Sequence, residues 1–482
     1  MLGPVIWSLL NTAATVVIPF LLFIIFARTG EAYQVGAVGI AVSILEILKT
    51  FCPQGLYEVL LRPETTREEE CASLGLLLLS GLIATAVYMG VIVLVGRYMP
   101  DLQAIGPILL LLAPKLLFDV TSVQPQAALA RQLTFRRLAM RTVIANFVAA
   151  GVGSVLAFAG HALEGLILYY LLQSMLNFFL VARGQMGRVR PTLGTAPLKA
   201  LFREAGYSSA VRIVAAANNY ADTLVVSGFV SAALVGTYNL AKRIETVLMS
   251  TSSSFSVIMY QPLFASRGAA PRSEIVTTAM RLTTVLFGLP IIIFVSFPEE
   301  WVGWVFGDRW LSAAPVCALL ALSGLARIYG GIYGSLLSVS GRNHVLLIYA
   351  LCSMIVGLGS VVLLSRYGLV WVALAIALKS WVFYLVSAYL TRRETGPVIA
   401  TCFWNVLSPL LLFSLIAAGA TRAVALSAPT GLHGIPASVL MIALSSVLAM
   451  ASVLVIYRRD LSKISNLVRV KIAEKRSPAK PT

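Results

Sequence analysis

Eleven ionisable side chains stand inside stretches of sequence that are otherwise apolar. Seven are cations, Lys49, Lys115, Arg212, Lys242, Arg243, Arg327 and Lys379, and four are acids, Glu46, Asp119, Asp222 and Glu245. In such surroundings ammonium and guanidinium groups bind anions through charge-assisted hydrogen bonds, and carboxylates take up and release protons or cations. Covalent chemistry has no comparable foothold. The chain carries no phosphate-binding GxxxxGK[ST] loop, no HExxH pair and no DxD-like acidic pair on a loop, and His161, His344 and His433 are scattered. Cys52, Cys71, Cys317, Cys352 and Cys402 lack metal-ligand spacing and are expected as small apolar packing residues without disulfides. Binding, without a cofactor, a metal or catalysis, is the expected chemistry.

These charges must be positioned by membrane helices. Hydrophobic residues make up 59% of the 482, charged residues 12%, and mean hydropathy is +0.88, which excludes a water-soluble domain. Fourteen stretches are long enough to span a bilayer: 5–27, 35–60, 74–95, 104–123, 138–159, 163–181, 207–227, 235–260, 282–297, 312–337, 344–364, 369–390, 399–418 and 435–457. No cleavable signal peptide is visible, so the first span is expected to remain as a helix. Loops on one side of the membrane carry 25 Lys and Arg residues, and those opposite carry Arg28, Arg97, Arg309, Arg366 and Arg422. The positive-inside rule therefore puts both termini in the cytoplasm. The net charge of +17 is accounted for by this orientation signal and by affinity for anionic membrane lipid, without nucleic acid.

At roughly 3 kcal/mol for each charge facing lipid, eleven would cost on the order of 30 kcal/mol, so they must face partners or a water-filled interior. A rise of about 1.5 Å per residue puts most of the cations about 10 to 23 Å into their spans, whereas Arg212 is near the cytoplasmic end and can snorkel. Glu46 and Lys49 stand at i,i+3, and Lys115 and Asp119 at i,i+4, spacings that let each pair neutralise itself. The hairpin turning near Ser231 brings Asp222 level with Lys242 and Arg243; one of the two can pair with Asp222 while the other, about 100° round the helix, faces elsewhere. Cations remain in excess, which suits an anionic substrate such as a polyprenyl pyrophosphate headgroup or an acidic sugar. The expected substrate contacts are Lys49, Arg212, Lys242, Arg243, Arg327 and Lys379. Glu46, Asp119 and Asp222 are the candidates for ion coupling.

The chain divides as 1–183, a first lobe of six helices; 184–206, a basic cytoplasmic linker with Pro191 and Pro197; 207–393, a second six-helix lobe; 394–457, two extra helices; and 458–482, a basic tail. The sequence from Val35 aligns without gaps on that from Val235, at an offset of 200, and Gly106-Pro107 aligns on Ala314-Pro315 at an offset of 208. Such weak internal symmetry marks transporter folds built from repeats, with the substrate site between the halves. In the tail, Leu461, Ile464, Leu467, Val468 and Ile472 recur at helical spacing among cations, as in a helix lying on the membrane surface.

Several segments resemble one family. The run Pro125-Gln-Ala-Ala-Leu-Ala-Arg131-Gln-Leu-Thr-Phe135-Arg136-Arg137-Leu-Ala139 resembles the loop between helices four and five of bacterial polysaccharide flippases. Phe306-Gly307-Asp308-Arg309-Trp310, followed by Ala313-Ala314-Pro315, is similar to the family's Phe-Gly-acidic-x-Trp motif before helix ten. Asn218 with Asp222, Gly236 and Tyr238 resembles the hairpin of helices seven and eight, and Ala27-Arg28 through Gly36 with Gly55-Leu56 to Arg62 resembles the first hairpin. The order of these segments resembles that in Wzx-like exopolysaccharide flippases, in the superfamily that also holds multidrug exporters and the peptidoglycan precursor flippase. Glu58, where an apolar or small residue is usual, and the missing basic lead-in to the first span depart from the pattern.

The resemblance implies an all-α, MATE-like, two-lobed bundle in a bacterial inner membrane that opens alternately to either side. Its implied cargo is a polyprenyl-pyrophosphate-linked oligosaccharide repeat unit, moved to the outer leaflet for exopolysaccharide or O-antigen-type synthesis. Other polysaccharide assembly proteins are its implied partners, and Arg131, Phe135, Arg136 and Arg137 would anchor the loop at the cytoplasmic interface. A proton- or sodium-coupled multidrug exporter of the same architecture is the nearest rival, and it would favour an acidic or aromatic cavity. A membrane polymerase or glycosyltransferase is a second rival, disfavoured by the lack of any loop long enough to hold donor and acceptor.

Overall fold

The structure, a computed structural model, describes residues 2–62, 64–98, 103, 106–132, 134–183, 190–192, 209, 212–255, 272–395, 408, 411, 414 and 415. Long helices follow one another along the chain: α1 (Leu2–Thr29), α2 (Ala32–Phe51), α3 (Arg67–Tyr98), α4 (Gly106–Arg131), α5 (Phe135–Phe158), α6 (Ala162–Ala182), α7 (212–227), α8 (Ala232–Phe255), α9 (Arg272–Ser296), α10 (Ala314–Val339), α11 (Asn343–Leu364) and α12 (Leu369–Leu390). There is no strand among the described residues, as expected where lipid leaves the backbone only its own partners. Nine of the described helices are long and apolar enough to cross a bilayer, and the protein is a multi-pass membrane protein. The expected spans 399–418, four positions apart, and 435–457, with the tail and most of the linker 184–206, lie outside the described residues.

The stretch 35–60, expected as one span, is two helices. α2 stops at Phe51 because Cys52 precedes Pro53 and takes an extended backbone, φ −71° and ψ 152°, and the short helix Leu56–Leu60 follows. α4 is similarly interrupted around Leu112 and Ser122, between Pro107, Pro114 and Pro125. Before α10 the chain runs through the short helix Pro298–Phe306, reverses at Gly307, whose φ of +98° favours glycine, and enters through a tight turn over Asp308–Ala313. α7 contains a widened turn over Ala217–Ala221, which brings Asn218, Asn219 and Tyr220 to cavity walls ahead of Asp222.

α1, α5 and α6 pack together and α3 packs on α4, forming one lobe; α10 packs on α12 and α9, and α11 on α12, forming the other. The lobes meet where α2 crosses α8 and where α1 lies along α8. This crossing is at the end of the bundle whose loops are poor in arginine. There Trp310 donates its indole N–H to the Ala27 carbonyl at 2.8 Å, and Arg309 donates to the carbonyls of Arg28 at 2.7 Å and Gly30 at 2.8 Å. Arg28 returns the contact, donating to the carbonyls of Trp304 and, at 2.9 Å, Val305. Each arginine caps the open C-terminal turn of the helix that carries or precedes the other, so the Ala27-Arg28 and Phe-Gly-Asp-Arg-Trp segments form one clasp.

Candidate functional site

Most of the buried charges pair, and they do so in separate groups. In the first lobe Glu46 and Lys49, one turn apart on α2, are 2.5 Å from each other. Lys115 and Asp119 on α4 pair at i,i+4. The two pairs then close on each other, Lys115 with Glu46 at 3.5 Å and Lys49 with Asp119 at 3.7 Å, giving a neutral four-charge cluster. Spacing along each helix predicts the two local pairs. The cross-helix contacts follow only from the packing of α2 on α4.

In the second lobe Lys242 pairs with Asp222, which also accepts from the Tyr238 hydroxyl at 2.8 Å and the Thr223 amide at 2.7 Å. Arg243, next along α8, faces the other lobe with its guanidinium 5.8 Å from the centre of the Phe23 ring. Arg327 on α10 pairs with Glu245 on α8 at 2.8 Å and donates to Asn219 at 3.0 Å, and Ser323 donates to Glu245 at 3.3 Å. Arg212 pairs with Glu58 where both side chains are 44% exposed, near the arginine-rich end.

Four of the six expected substrate contacts, Lys49, Arg212, Lys242 and Arg327, therefore already have a carboxylate. Arg243 and Lys379 have none within 4.0 Å among the described residues. Each is near the middle of its helix, Arg243 twelfth of 24 residues in α8 and Lys379 eleventh of 22 in α12. The three coupling candidates, Glu46, Asp119 and Asp222, are all held by lysines.

Two cavities receive the unpaired cations. Arg243 lines an interlobe pocket of about 320 Å³, walled by Phe23, Tyr170, Tyr220, Asn219 and Asn239. Lys379 lines a cleft of about 750 Å³ bounded by α7, α10, α11 and α12 of the second lobe, with Glu58 of the first lobe, Arg212 and Asn343 toward the arginine-rich end. Sequence reasoning missed the Glu245–Arg327 pair and the polar walls of Asn218, Asn219 and Tyr220. The run of two amides and a phenol inside an apolar span was the signal for the walls; nothing local signalled that α8 and α10 would face each other at Glu245 and Arg327.

A two-lobed helical bundle with charged residues turned toward internal cavities is an architecture suited to a membrane transporter. Residues 25–315 match the model of a family described as polysaccharide biosynthesis protein, and the chain belongs to that family. The likeness to Wzx-type proteins seen in the motifs is borne out. The chain is 24% identical to the teichuronic acid biosynthesis protein TuaB of Bacillus subtilis over 69% of each chain. It is also 24% identical to the lipopolysaccharide biosynthesis protein WzxC of Escherichia coli over 70% of this chain and 69% of the other. Among solved structures, the lipid II flippase MurJ in an inward closed conformation matches with a TM-score of 0.74 and 15% identity, over 94% of this chain and 99% of that one. An inward-facing multidrug resistance MATE family transporter of the MOP superfamily matches with a TM-score of 0.62 and 16% identity, over 82% and 99%. These structural likenesses are likenesses of fold.

Proposed function

We propose that the protein moves a polyprenyl-pyrophosphate-linked oligosaccharide from the cytoplasmic to the outer leaflet of a bacterial inner membrane. The observation that carries this is Arg243, a guanidinium without a carboxylate partner among the described residues, midway along α8 in a pocket between two lobes that clasp each other at the arginine-poor end. A planar guanidinium matches phosphate oxygens in bidentate fashion, and a low-dielectric surround strengthens the contact. Lys242 and Arg327 line the same pocket and add positive potential while committed to Asp222 and Glu245. The polyprenyl tail stays in lipid. The positive-inside rule makes the arginine-rich end cytoplasmic, so this form is sealed to the outside, and transport requires the clasp to open once the lobes close at the opposite end.

Membership of a polysaccharide biosynthesis family supports this cargo, as do relatives named for teichuronic acid, lipopolysaccharide and succinoglycan. With no nucleotide-binding motif in the sequence, any gradient acts through Glu46, Asp119 or Asp222, where protonation would free a lysine from its partner. A cation exporter is disfavoured because the two charges in these cavities that have no counter-ion within 4.0 Å among the described residues are both positive.

The test is transfer of a fluorescent polyprenyl-diphosphate oligosaccharide between leaflets of proteoliposomes, with and without a proton or sodium gradient. Wild type should transfer the lipid, and Arg243→Ala should lose transfer while keeping wild-type thermal stability. Absence of transfer under every gradient, together with saturable export of an organic cation, would assign the protein to the drug-exporter branch.

A further inference from the structure

Arg243 and Lys379 face different compartments. Arg243 lines the interlobe pocket and not the cleft of the second lobe; Lys379 lines that cleft and a recess of about 20 Å³ beside it, and not the interlobe pocket. The wall between them is built by Arg327 and Asn219, which line both cavities and are tied to each other at 3.0 Å, with Glu245 holding Arg327 at 2.8 Å. Arg243 and Lys379 thus share no cavity, and Arg327 and Asn219 stand between them.

The surroundings of Lys379 are those of a site for a polar molecule. Its ammonium lies against Gly357 of α11, where an added methyl would be 2.9 Å away, and the recess it shares is also lined by Asp222 and Glu245, whose carboxylates are committed to Lys242 and Arg327. One wall of the cleft is the side-chain-free face of α10 at Gly331 and Gly334, and Asn218, Tyr349 and Phe383 supply an amide and two aromatic surfaces. Flat aromatic faces with scattered amides suit pyranose rings, and the cleft is larger than the interlobe pocket by more than twofold.

We propose that this cleft is the glycan subsite and that Lys379 binds a carboxylate carried by one of its sugars, so that the protein selects an acidic repeat unit over a neutral one. The proposal rests on the flippase assignment above. Arg243 takes the diphosphate in the interlobe pocket, and the glycan extends past Asn219 and Arg327 into the cleft, where its acid meets the ammonium.

The experiment uses the full-length protein in proteoliposomes and two probes, a fluorescent polyprenyl-diphosphate disaccharide with a terminal glucuronate and the same molecule with glucose in its place. Wild type should move the glucuronate probe about tenfold faster than the glucose probe, the scale of one charge-assisted hydrogen bond. Lys379→Gln should bring the glucuronate rate down to the glucose rate, and Lys379→Arg should keep the preference. Gly357→Ala, which displaces the ammonium without removing it, should lower the preference part way and serves if Lys379→Gln does not fold. Equal rates for both probes in wild type would overturn the proposal and leave the flippase assignment standing. Equal slowing of both probes in Lys379→Gln would overturn it too, returning the lysine to the headgroup or to packing. Movement of neither probe by wild type would remove the flippase assignment and this proposal together.

Discussion

Gly36 of α2 and Gly236 of α8 stand in reciprocal contact across the lobe interface: a Cβ on Gly36 would lie 1.8 Å from the Ala232 carbonyl oxygen, and one on Gly236 would lie 2.1 Å from that of Ala32. Both glycines are fifth in their helices, and the two contacts exchange on adding 200 to a residue number. The offset that aligns the two sequence halves is thus the offset of the local two-fold relation between α2 and α8. Three residues on, Gly39 meets the Asn239 amide, where a Cβ would be 1.9 Å away. Helices approach this closely only where backbone meets backbone, the mode used by small residues in membranes.

Substituting either glycine should force the crossing apart, since the atom in the way is backbone and cannot swing aside. Gly36→Ala and Gly236→Ala are expected each to lower stability by about 1–3 kcal/mol. Gly90→Ala and Gly151→Ala, mid-helix positions where a Cβ meets nothing within 4 Å, should cost nothing and can raise it by up to about 1 kcal/mol. Thermal unfolding in detergent of the four variants measures the contrast; equal losses at all four positions would show that the crossing has no special tightness.

The clasp should behave as one unit. Arg28→Ala and Arg309→Ala each uncap carbonyls on the helix turn beside the other arginine, so the double variant should lose less stability than the two single losses combined, with a coupling of about 0.5–3 kcal/mol. A double-mutant cycle on thermal unfolding reads this directly. Additive losses would mean two independent caps.

Adjacent residues of α8 should respond in opposite ways. Lys242→Ala strands the Asp222 carboxylate with only the Tyr238 hydroxyl and the Thr223 amide, and should cost about 3–5 kcal/mol, largely regained in Lys242→Met combined with Asp222→Asn. Arg243→Ala should leave stability within about 0.5–1 kcal/mol and remove lipid transfer. Unfolding midpoints and leaflet transfer measured on the same preparations separate the two; a stability loss at Arg243 as large as that at Lys242 would make Arg243 structural.

The four-charge cluster of the first lobe gives a further cycle. Neutralising Glu46 or Lys115 alone leaves a buried imbalance, whereas Glu46→Gln with Lys115→Gln restores neutrality, so the double variant should be more stable than either single one. Denaturation in detergent checks the order. If Glu46 also carries the coupling ion, Glu46→Gln should in addition make transfer independent of an imposed proton gradient.

The described helices and the place of each charge along its helix were legible in the sequence, because hydropathy sets which segments enter lipid and a fixed rise per residue sets how far along a helix a side chain stands. Pairings within a helix or across one short hairpin were legible for the same reason: Glu46 with Lys49, Lys115 with Asp119, and Asp222 with Lys242 are separated by short lengths of chain. The break in the stretch 35–60 was available at Pro53, but continuous hydropathy masked it. The pairing of Arg327 with Glu245, the clasp of Arg28 on residues near Arg309, and the lack of a carboxylate beside Arg243 and Lys379 among the described residues were decided by the tertiary structure. Sequence fixes a residue's height on its helix, whereas the direction it faces among neighbouring helices depends on how all of them pack, and that direction separates a neutralised charge from one available to a substrate.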